Sequence, residues 1–274
     1  MTTSAIVIRD IDSFEEMRAV EELQKEVWDF DDLDVVPRTL FVAGREVGAV
    51  LVGAYDGSAL VGFVYGFPGY ENGHGVHHSH MLGVKPEYRS SNLGYKLKLA
   101  QRDRVLAQDI KYITWTFDPL QSRNAYFNFA KLGVIADSYR VDFYGQATSS
   151  FLHQAGTDRL WVTWLIDSER VRERLKAERK IPILPDGARR LVEVRDDLAP
   201  KITETLDIQE QHLLIEIPAD ITALQMEKPA LAVEWRKATR WAFSHALSLG
   251  YLVEEFYRFT DSNECVGRYL LGRS

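Results

Sequence analysis

The sequence has very little cysteine and no long hydrophobic segment. Its one cysteine, Cys265, excludes an internal disulfide and a metal site built from several thiolates. The longest uncharged stretch, Ala59–Tyr70, is interrupted by glycines and a proline, and it is much shorter than the roughly 20 residues of a membrane-spanning helix. We therefore expect neither a disulfide framework nor a membrane span.

The sequence also lacks an apolar leader and an excess of positive charge. At the amino terminus, the run Ala5–Ile8 is shorter than the hydrophobic core of a secretory signal, which predicts a cytoplasmic protein. The 40 acidic and 33 basic residues give a net charge of −7, so there is no overall positive field to hold nucleic acid or an anionic membrane. We expect neither as a partner.

Length and composition indicate a globular protein of more than one domain. With 274 residues, 46% of them hydrophobic, the chain can build a core, and its length favours a division into domains. A strongly charged segment, expected to be a solvated helix, precedes the linker-like Pro182–Gly187. The predicted parts are a first domain at 1–168, a charged helix and linker at 169–188, and a smaller α/β domain at 189–274.

Hydrophobic periodicity predicts an α+β fold for the first domain. The second domain is predicted to contain a long helix, Pro229–Leu249, among short strands. Proceeding along the first domain, we expect a strand Ala5–Arg9, a helix starting at Asp12 or Ser13, a helix Pro37–Arg45, a hairpin of Val47–Tyr55 and Ala59–Phe67, a strand Val76–Val84, a helix Leu93–Ala107, a strand Tyr112–Phe117, a helix Ser122–Leu132, and strands Ile135–Tyr144 and Leu160–Ile166.

The segment Leu82–Leu97 is the most informative part of the chain. A strand runs into a turn of small residues that opens a helix, and such a turn can bind an anion through its backbone N–H groups. Gly94 would let the main chain approach the anion closely. Between Lys85 and Arg104 there are six basic and two acidic residues, although these charges could also form a solvated helix face.

This segment resembles the acyl-CoA signature of the GCN5-related N-acetyltransferase (GNAT) superfamily. Arg89 matches its first position and Gly94 its last, while Asn92 replaces the middle glycine. The resemblance covers roughly residues 1–166. It implies an α/β/α sandwich with a mixed, mostly antiparallel twisted sheet, and acetyl-CoA or another acyl-CoA as cosubstrate. The implied cofactor-binding residues are Leu82, Gly83, Val84, Arg89, Ser90, Ser91, Asn92, Leu93, Gly94, Tyr95 and Lys96.

A second family feature is altered in this sequence. In many members, a tyrosine near the end of the following helix protonates the departing thiolate, but Phe129 stands at that position and has no proton to give. Tyr126, one turn earlier, is the remaining candidate for this role, and the alternative is that it is a buried packing residue. A thiolate can also leave unprotonated near neutral pH.

Four histidines lie close together before the signature, and alternation along a strand places His78 and His80 on one face and His77 on the other. We expect no metal, because neither acidic nor thiol ligands accompany them. The resemblance places His78 at the position where several members of the family have a general base. An imidazole with an ordinary pKa near 6.5 could serve there, as could His80. The alternative is that both are polar residues lining a cleft.

The acceptor is less readable from the sequence than the acyl donor. Asp158 and Arg159 are candidates for binding an amino-acid-like acceptor, and a mutual surface ion pair is the alternative. The leading hypothesis is an N-acyltransferase that acts on a small-molecule amine, with acetyl as the default acyl group. Succinyl is a larger option that Arg159 would accommodate. A non-catalytic acyl-CoA-binding or interaction module is the rival, and both a homodimer and a second domain derived from a GNAT-like half are left open.

Overall fold

The structure is a computed structural model, and its described residues separate into two compact units. The first unit comprises residues up to Trp115 together with Leu165–Asp167, and the second comprises the others. Among the described helices, none combines the length and apolar composition needed to cross a membrane. The described ranges are 5–145, 156–176, 182–203, 210–261 and 264–273.

In the first unit, the described strands are β1 (Val7–Asp10), β2 (Val50–Asp56), β3 (Ala59–Glu71), β4 (His74–Val84) and β5 (Tyr112–Phe117). They pair in chain order, antiparallel from β1 to β4 and parallel between β4 and β5. The predicted mixed, mostly antiparallel sheet is confirmed. So is the tight hairpin turn, because Asp56 pairs with Ala59 and Gly57 has a φ of 60°.

Helices cover both faces of this sheet, as the predicted α/β/α layering requires. They are α1 (Phe14–Trp28), α2 (Arg38–Glu46) and α3 (Leu93–Leu106). A capping box of Ser13 and Glu16 starts α1. Apolar residues of α1 and α2 share one core with Phe63 and Tyr65 of β3. Gly62, which points to the opposite face of β3, lies under Leu97 of α3.

The second unit contains seven strands and four α-helices among its described residues. In the sheet the order is β7-β6-β11-β12-β10-β8-β9. The elements are α4 (Ser122–Ala125), which continues as a π-helix (Tyr126–Leu132), β6 (Ile135–Arg140), β7 (Arg159–Leu165), α5 (Glu169–Arg174), β8 (Arg189–Val194), β9 (Pro200–Ile202), β10 (His212–Pro218), α6 (Ile221–Glu227), α7 (Pro229–Ser248), β11 (Leu252–Asp261) and β12 (Glu264–Gly272).

The compact units divide at Trp115, and the domain bounds at 168 and 189 stay a prediction. Strand β6 was expected to complete the first domain, but its Ala136 pairs with Val253 of β11 in the second unit. Pairing between strands so far apart in the chain leaves no mark in local composition. The short elements β9 and α6 were not predicted.

In its described part, the charged segment is a helix with the predicted solvated face and, in addition, a buried one. Helix α5 buries Val171 and Arg174, and the Arg174 guanidinium pairs with the buried carboxylate of Glu255. Arg170 donates to the carbonyl of Gly133 at 3.1 Å. One face of α5 therefore packs within the second unit and uses its basic residues as buried hydrogen-bond donors.

Candidate active site

Strand β4 carries the histidines and is irregular where two of them lie. Its register against β3 shifts between His78 and Met81. Within the shift, Ser79 and His80 together oppose a single residue of β3, which makes a β-bulge. A bulge re-aims the side chains it carries and is frequent beside active sites.

His78 and His80 share one face of the sheet, as expected. Both rings contact Phe67, with ring-centroid distances of 5.6 and 5.9 Å, and the His80 ring lies 6.5 Å from that of Tyr65. The Nδ1 atom of His78 is 3.2 Å from the hydroxyl of Thr114 on β5. This contact fixes the orientation of the His78 ring.

His77 points to the opposite face, where its ring is fully buried and lies 3.2 Å from the amide nitrogen of Gln101. The histidine cluster is thus divided between two faces of the sheet. Among the described residues, no three His, Cys, Asp or Glu side chains lie close enough together to hold a metal ion.

The imidazoles on the site face are neutral at pH 7. Burial lowers the pKa of His78 from 6.5 to about 4, and the charges of His80 and Lys98 act in the same direction. Desolvation also lowers the pKa of His80. The expectation of an ordinary pKa near 6.5 is therefore wrong for His78. Its neutral form persists in much more acidic solution.

The carboxyl end of β4 presents backbone donors at the edge next to β5. The N–H of Lys85 donates to Val61 of β3. Because donors alternate between the two edges of a strand, the N–H groups of Leu82 and Val84 point to the other edge. In the described chain, the β4–β5 pairs end at His78 with Thr114, so these donors lie beyond the paired segment.

The predicted anion-binding turn joins β4 to α3. After a 3₁₀ helix, Pro86–Ser91, the chain passes through Asn92 with left-handed angles, φ 59° and ψ 22°. Asparagine tolerates these angles, which is why it can replace the glycine of the family motif. The N–H of Lys96 donates to the carbonyl of Asn92, so the amides of Leu93 and Gly94 precede the hydrogen-bond ladder of α3.

The space beside the Cα atom of Gly94 is not filled by other protein atoms. A Cβ atom added there would meet only Leu82, at 3.7 Å, and the backbone angles are not left-handed. Packing therefore does not demand glycine at this position, and a ligand lying against the turn would. Gly83 differs, because a Cβ there would approach Phe63 and Trp28 at 3.0 and 3.1 Å, so this glycine is needed for helix packing.

Only part of the predicted local positive charge is available to a ligand. Arg89 and Lys96 are exposed and make no ion pair within the described chain, although Arg89 donates to the carbonyl of Val84. Ser91 is exposed beside them, and the side chain of Ser90 lies outside what the structure describes. The other basic residues are occupied: Lys85 by Glu26, Arg104 by Asp10, Arg102 by the carbonyl of Ile166, and Lys98 by burial.

Comparison with known families agrees with the acyl-CoA-binding role predicted for the turn. Residues 11–133 match the sequence model of the acetyltransferase (GNAT) family. This part of the chain is therefore similar to the acetyltransferase domain of the GNAT family. The match includes the hairpin, β4, the turn and α3, and it ends at the glycine after the π-helix. No curated protein matches the chain significantly.

Several solved acetyltransferases align with part of this chain. The ribosomal-protein-S18-alanine N-acetyltransferase of Escherichia coli is 11% identical over 60% of this chain and 96% of its own, with a TM-score of 0.48. The aminoglycoside 6′-N-acetyltransferase of Enterococcus faecium is 17% identical over 59% and 98%, with a TM-score of 0.44. The PaiA N-acetyltransferase of Thermoplasma acidophilum, solved with coenzyme A, is 17% identical over 58% and 98%, with a TM-score of 0.41.

The tyrosine position of the GNAT motif lies in the second unit. Phe129 is fully buried there, and its ring packs against Phe117 and Tyr269. Tyr126 is half-buried at the start of the π-helix, and Gly133 ends that helix with a φ of 76°, as predicted. A catalytic role for Tyr126 stays a prediction.

Asp158 and Arg159 are both buried, so the surface ion pair considered as an alternative does not occur. Asp158 accepts hydrogen bonds from Tyr139 at 2.8 Å and from Arg240 at 2.7 and 2.8 Å. Both of its carboxylate oxygens are thereby engaged within the second unit. The guanidinium of Arg159 donates to the carbonyl of Asp158 and lies 5.1 Å from the ring centre of Tyr144. Asp158 is better explained as a structural residue than as an acceptor-binding one.

Sequence reasoning missed one polar residue near the site. Lys98 was counted among the exposed charges of the basic helix, yet only 2% of its surface is accessible. It follows Gly94 by four positions, which puts both on one face of α3. This spacing could have indicated that Lys98 lies near the site. Lysine is usually exposed, however, so its residue type favoured a solvated position.

Proposed function

We propose that this chain is an N-acyltransferase that moves an acyl group, acetyl by default, from acyl-CoA to the amine of a small molecule. The observation that carries the proposal is the junction of β4 and α3. There a Cβ atom added at Gly94, in the turn, would lie 3.7 Å from Leu82, on the strand that also carries His78. The match of residues 11–133 to the GNAT family model supports the same reaction.

The turn has the properties needed to hold the diphosphate of coenzyme A. Amides at the start of a helix and the positive end of its dipole attract anions. Gly94 lets the main chain approach the ligand, and the exposed side chains of Arg89 and Lys96 add positive charge. The backbone donors of Leu82 and Val84 would bind the extended, amide-containing arm of the cofactor in the manner of an added strand.

His78 serves as the proton acceptor in this proposal. The neutral amine attacks the thioester carbonyl, the N–C bond forms, and the C–S bond breaks to release the thiolate. As nitrogen gives up its lone pair, its N–H becomes strongly acidic, so even an imidazole with a pKa of about 4 can take the proton. A backbone N–H near Leu82 to Val84 stabilises the negative charge that develops on the carbonyl oxygen. No covalent enzyme intermediate is needed.

The acceptor is proposed as a small amine, an amino acid among the candidates. Arg159 remains a candidate for a carboxylate, on the acceptor or on a succinyl group, because burial makes an arginine an effective partner for a carboxylate. Tyr126 is retained as the candidate proton donor to the thiolate. These assignments go beyond the match to the family model and require direct tests.

Turnover of acetyl-CoA with a panel of amines tests the proposed function. We expect the protein to release free coenzyme A only when an acceptor amine is present, with release detected by a thiol reagent. Calorimetric binding of acetyl-CoA without release on any amine would instead favour the non-catalytic acyl-CoA-binding module. The buried Phe129, at the position where many GNAT enzymes have their tyrosine, is the observation that favours this alternative.

A further inference from the structure

A buried polar cluster lies on the face of β4 opposite to the proposed site. The ammonium nitrogen of Lys98 donates to the hydroxyl of Ser79 at 2.7 Å and to the side-chain oxygen of Gln101 at 3.3 Å. It also lies 3.7 Å from the ring centre of Trp115. Every contact of this nitrogen is therefore to an uncharged group.

Burying such a lysine is costly for the fold. None of the ion pairs within the described chain involves Lys98, and burial lowers its pKa well below the ordinary value. Taking an amine out of water costs free energy that neutral partners only partly return. An apolar side chain of the same length would fill the space without the cost of burying an amine. The presence of the amine therefore calls for another explanation.

The position of Lys98 connects the two parts of the proposed site. Lys98 lies one helical turn after Gly94, on the helix that begins at the anion-binding turn. Its partner Ser79 lies in the β-bulge, between His78 and His80. One hydrogen bond thus joins the start of α3 to the irregular segment that orients both imidazoles.

The neighbouring residues hold this contact firmly. Gln101 accepts a second hydrogen bond from Ser79 at 2.9 Å, and its nitrogen lies 3.2 Å from the ring of His77. A Cβ atom at Gly66 of β3 would lie 2.4 Å from that ring and 2.9 Å from the Gln101 nitrogen. The glycine opposite the bulge is therefore what leaves room for the cluster.

We propose that Lys98 and Ser79 are positioning residues for acyl transfer, with Lys98 holding the β-bulge so that His78 faces the acyl carbon of a cofactor bound at the start of the same helix. The proposal rests on the proposed acyltransferase function. It assigns to Lys98 an effect on the chemical step, exerted through His78, and none on acyl-CoA binding.

Substitution Lys98→Met tests the proposal, because methionine is similar in length and lacks the amine. We expect kcat to fall about 10- to 100-fold, as a small misplacement of a catalytic group does, with the KM for acetyl-CoA unchanged. In a His78→Ala background, the same substitution should have no further effect, since a residue that acts through His78 has nothing left to position. The exposed Lys111, changed by Lys111→Met, is the matched control and should keep full activity.

Full activity of Lys98→Met, or an equal loss of kcat with and without His78, overturns the proposal. If Lys98→Met does not fold, Ser79→Ala removes only the hydroxyl and should give the same loss with the same dependence on His78.

A readout that needs no turnover keeps this proposal separate from the proposed function. In protein with nitrogen-labelled histidines, we expect both Lys98→Met and Ser79→Ala to shift the ring signals of His78, whereas Lys111→Met should not. Because Ser79→Ala changes no charge, its shift separates the positioning role from the loss of the Lys98 charge. If the wild-type protein acylates no amine, the proposed function fails, and this comparison still decides the positioning role. Unchanged His78 signals would overturn it.

Discussion

Substitution Gly94→Glu should abolish acyl-CoA binding while leaving the melting temperature close to that of the wild type. The added carboxylate would stand where the diphosphate is proposed to lie, and like charges in contact cost several kcal/mol. We therefore expect the Kd for acetyl-CoA to rise about 100-fold or more in calorimetry. The fold should tolerate the change, because a Cβ at this position meets only Leu82 at 3.7 Å.

A second substitution at the same position separates bulk from charge. Gly94→Ala should weaken acetyl-CoA binding less than Gly94→Glu, and it should raise stability slightly, by roughly 0.4–1 kcal/mol, because alanine restricts the unfolded chain. Weaker acetyl-CoA binding together with a higher free energy of unfolding in Gly94→Ala would show that glycine is needed for the ligand and not for the fold. Gly75→Glu is the control, since Gly75 is exposed and a Cβ there meets nothing within 4 Å. Undiminished affinity in Gly94→Glu would refute the assignment of the turn.

Substitution His78→Ala should lower kcat about 100- to 1000-fold with little change in acetyl-CoA affinity. Removal of a general base has an effect of this order. We expect a smaller loss for His80→Ala, because Thr114 orients the His78 ring, whereas His80 is more exposed. His74→Ala is the control, since His74 is an exposed histidine at the other end of β4. Equal activity of His78→Ala and the wild type would remove His78 from the mechanism.

The pH dependence of kcat gives an independent check on His78. Burial lowers its pKa to about 4, and a base acts in its deprotonated form. Activity from this group is therefore present above pH 4 and is lost as the pH falls through that value. We expect kcat to be level between about pH 5 and 8, measured with a saturating acceptor whose amine is neutral throughout this range. A decline centred near 6.5, the ordinary histidine value, would contradict the environment assigned to His78.

The local elements of the region similar to the GNAT family were predictable because each has a local cause. The capping box starts α1, a two-residue turn closes the hairpin, and Asn92 adopts the left-handed angles that its side chain tolerates. The strand, turn and helix of the signature lie consecutively in the chain, so sequence order alone places them. The cofactor turn could be proposed before any coordinates for this reason.

Features that depend on distant parts of the chain were not predictable. The shift of the His78 pKa arises because side chains of neighbouring strands bury its ring. The alternation of residue types in the sequence gives no measure of this burial. The pairing of Ala136 with Val253 moves β6 into the second unit. Lys98 is the most informative case, because helical spacing places it beside Leu97 on the covered face, whereas its charge suggested a solvated one.

A crystal structure with bound acetyl-CoA would test the central claim most directly. The account predicts that oxygens of the diphosphate accept hydrogen bonds, at about 3 Å, from the backbone amides of Leu93 and Gly94, and that the acyl carbon lies on the His78 face of β4. A diphosphate bound elsewhere, with these two amides donating only to protein atoms, would contradict it.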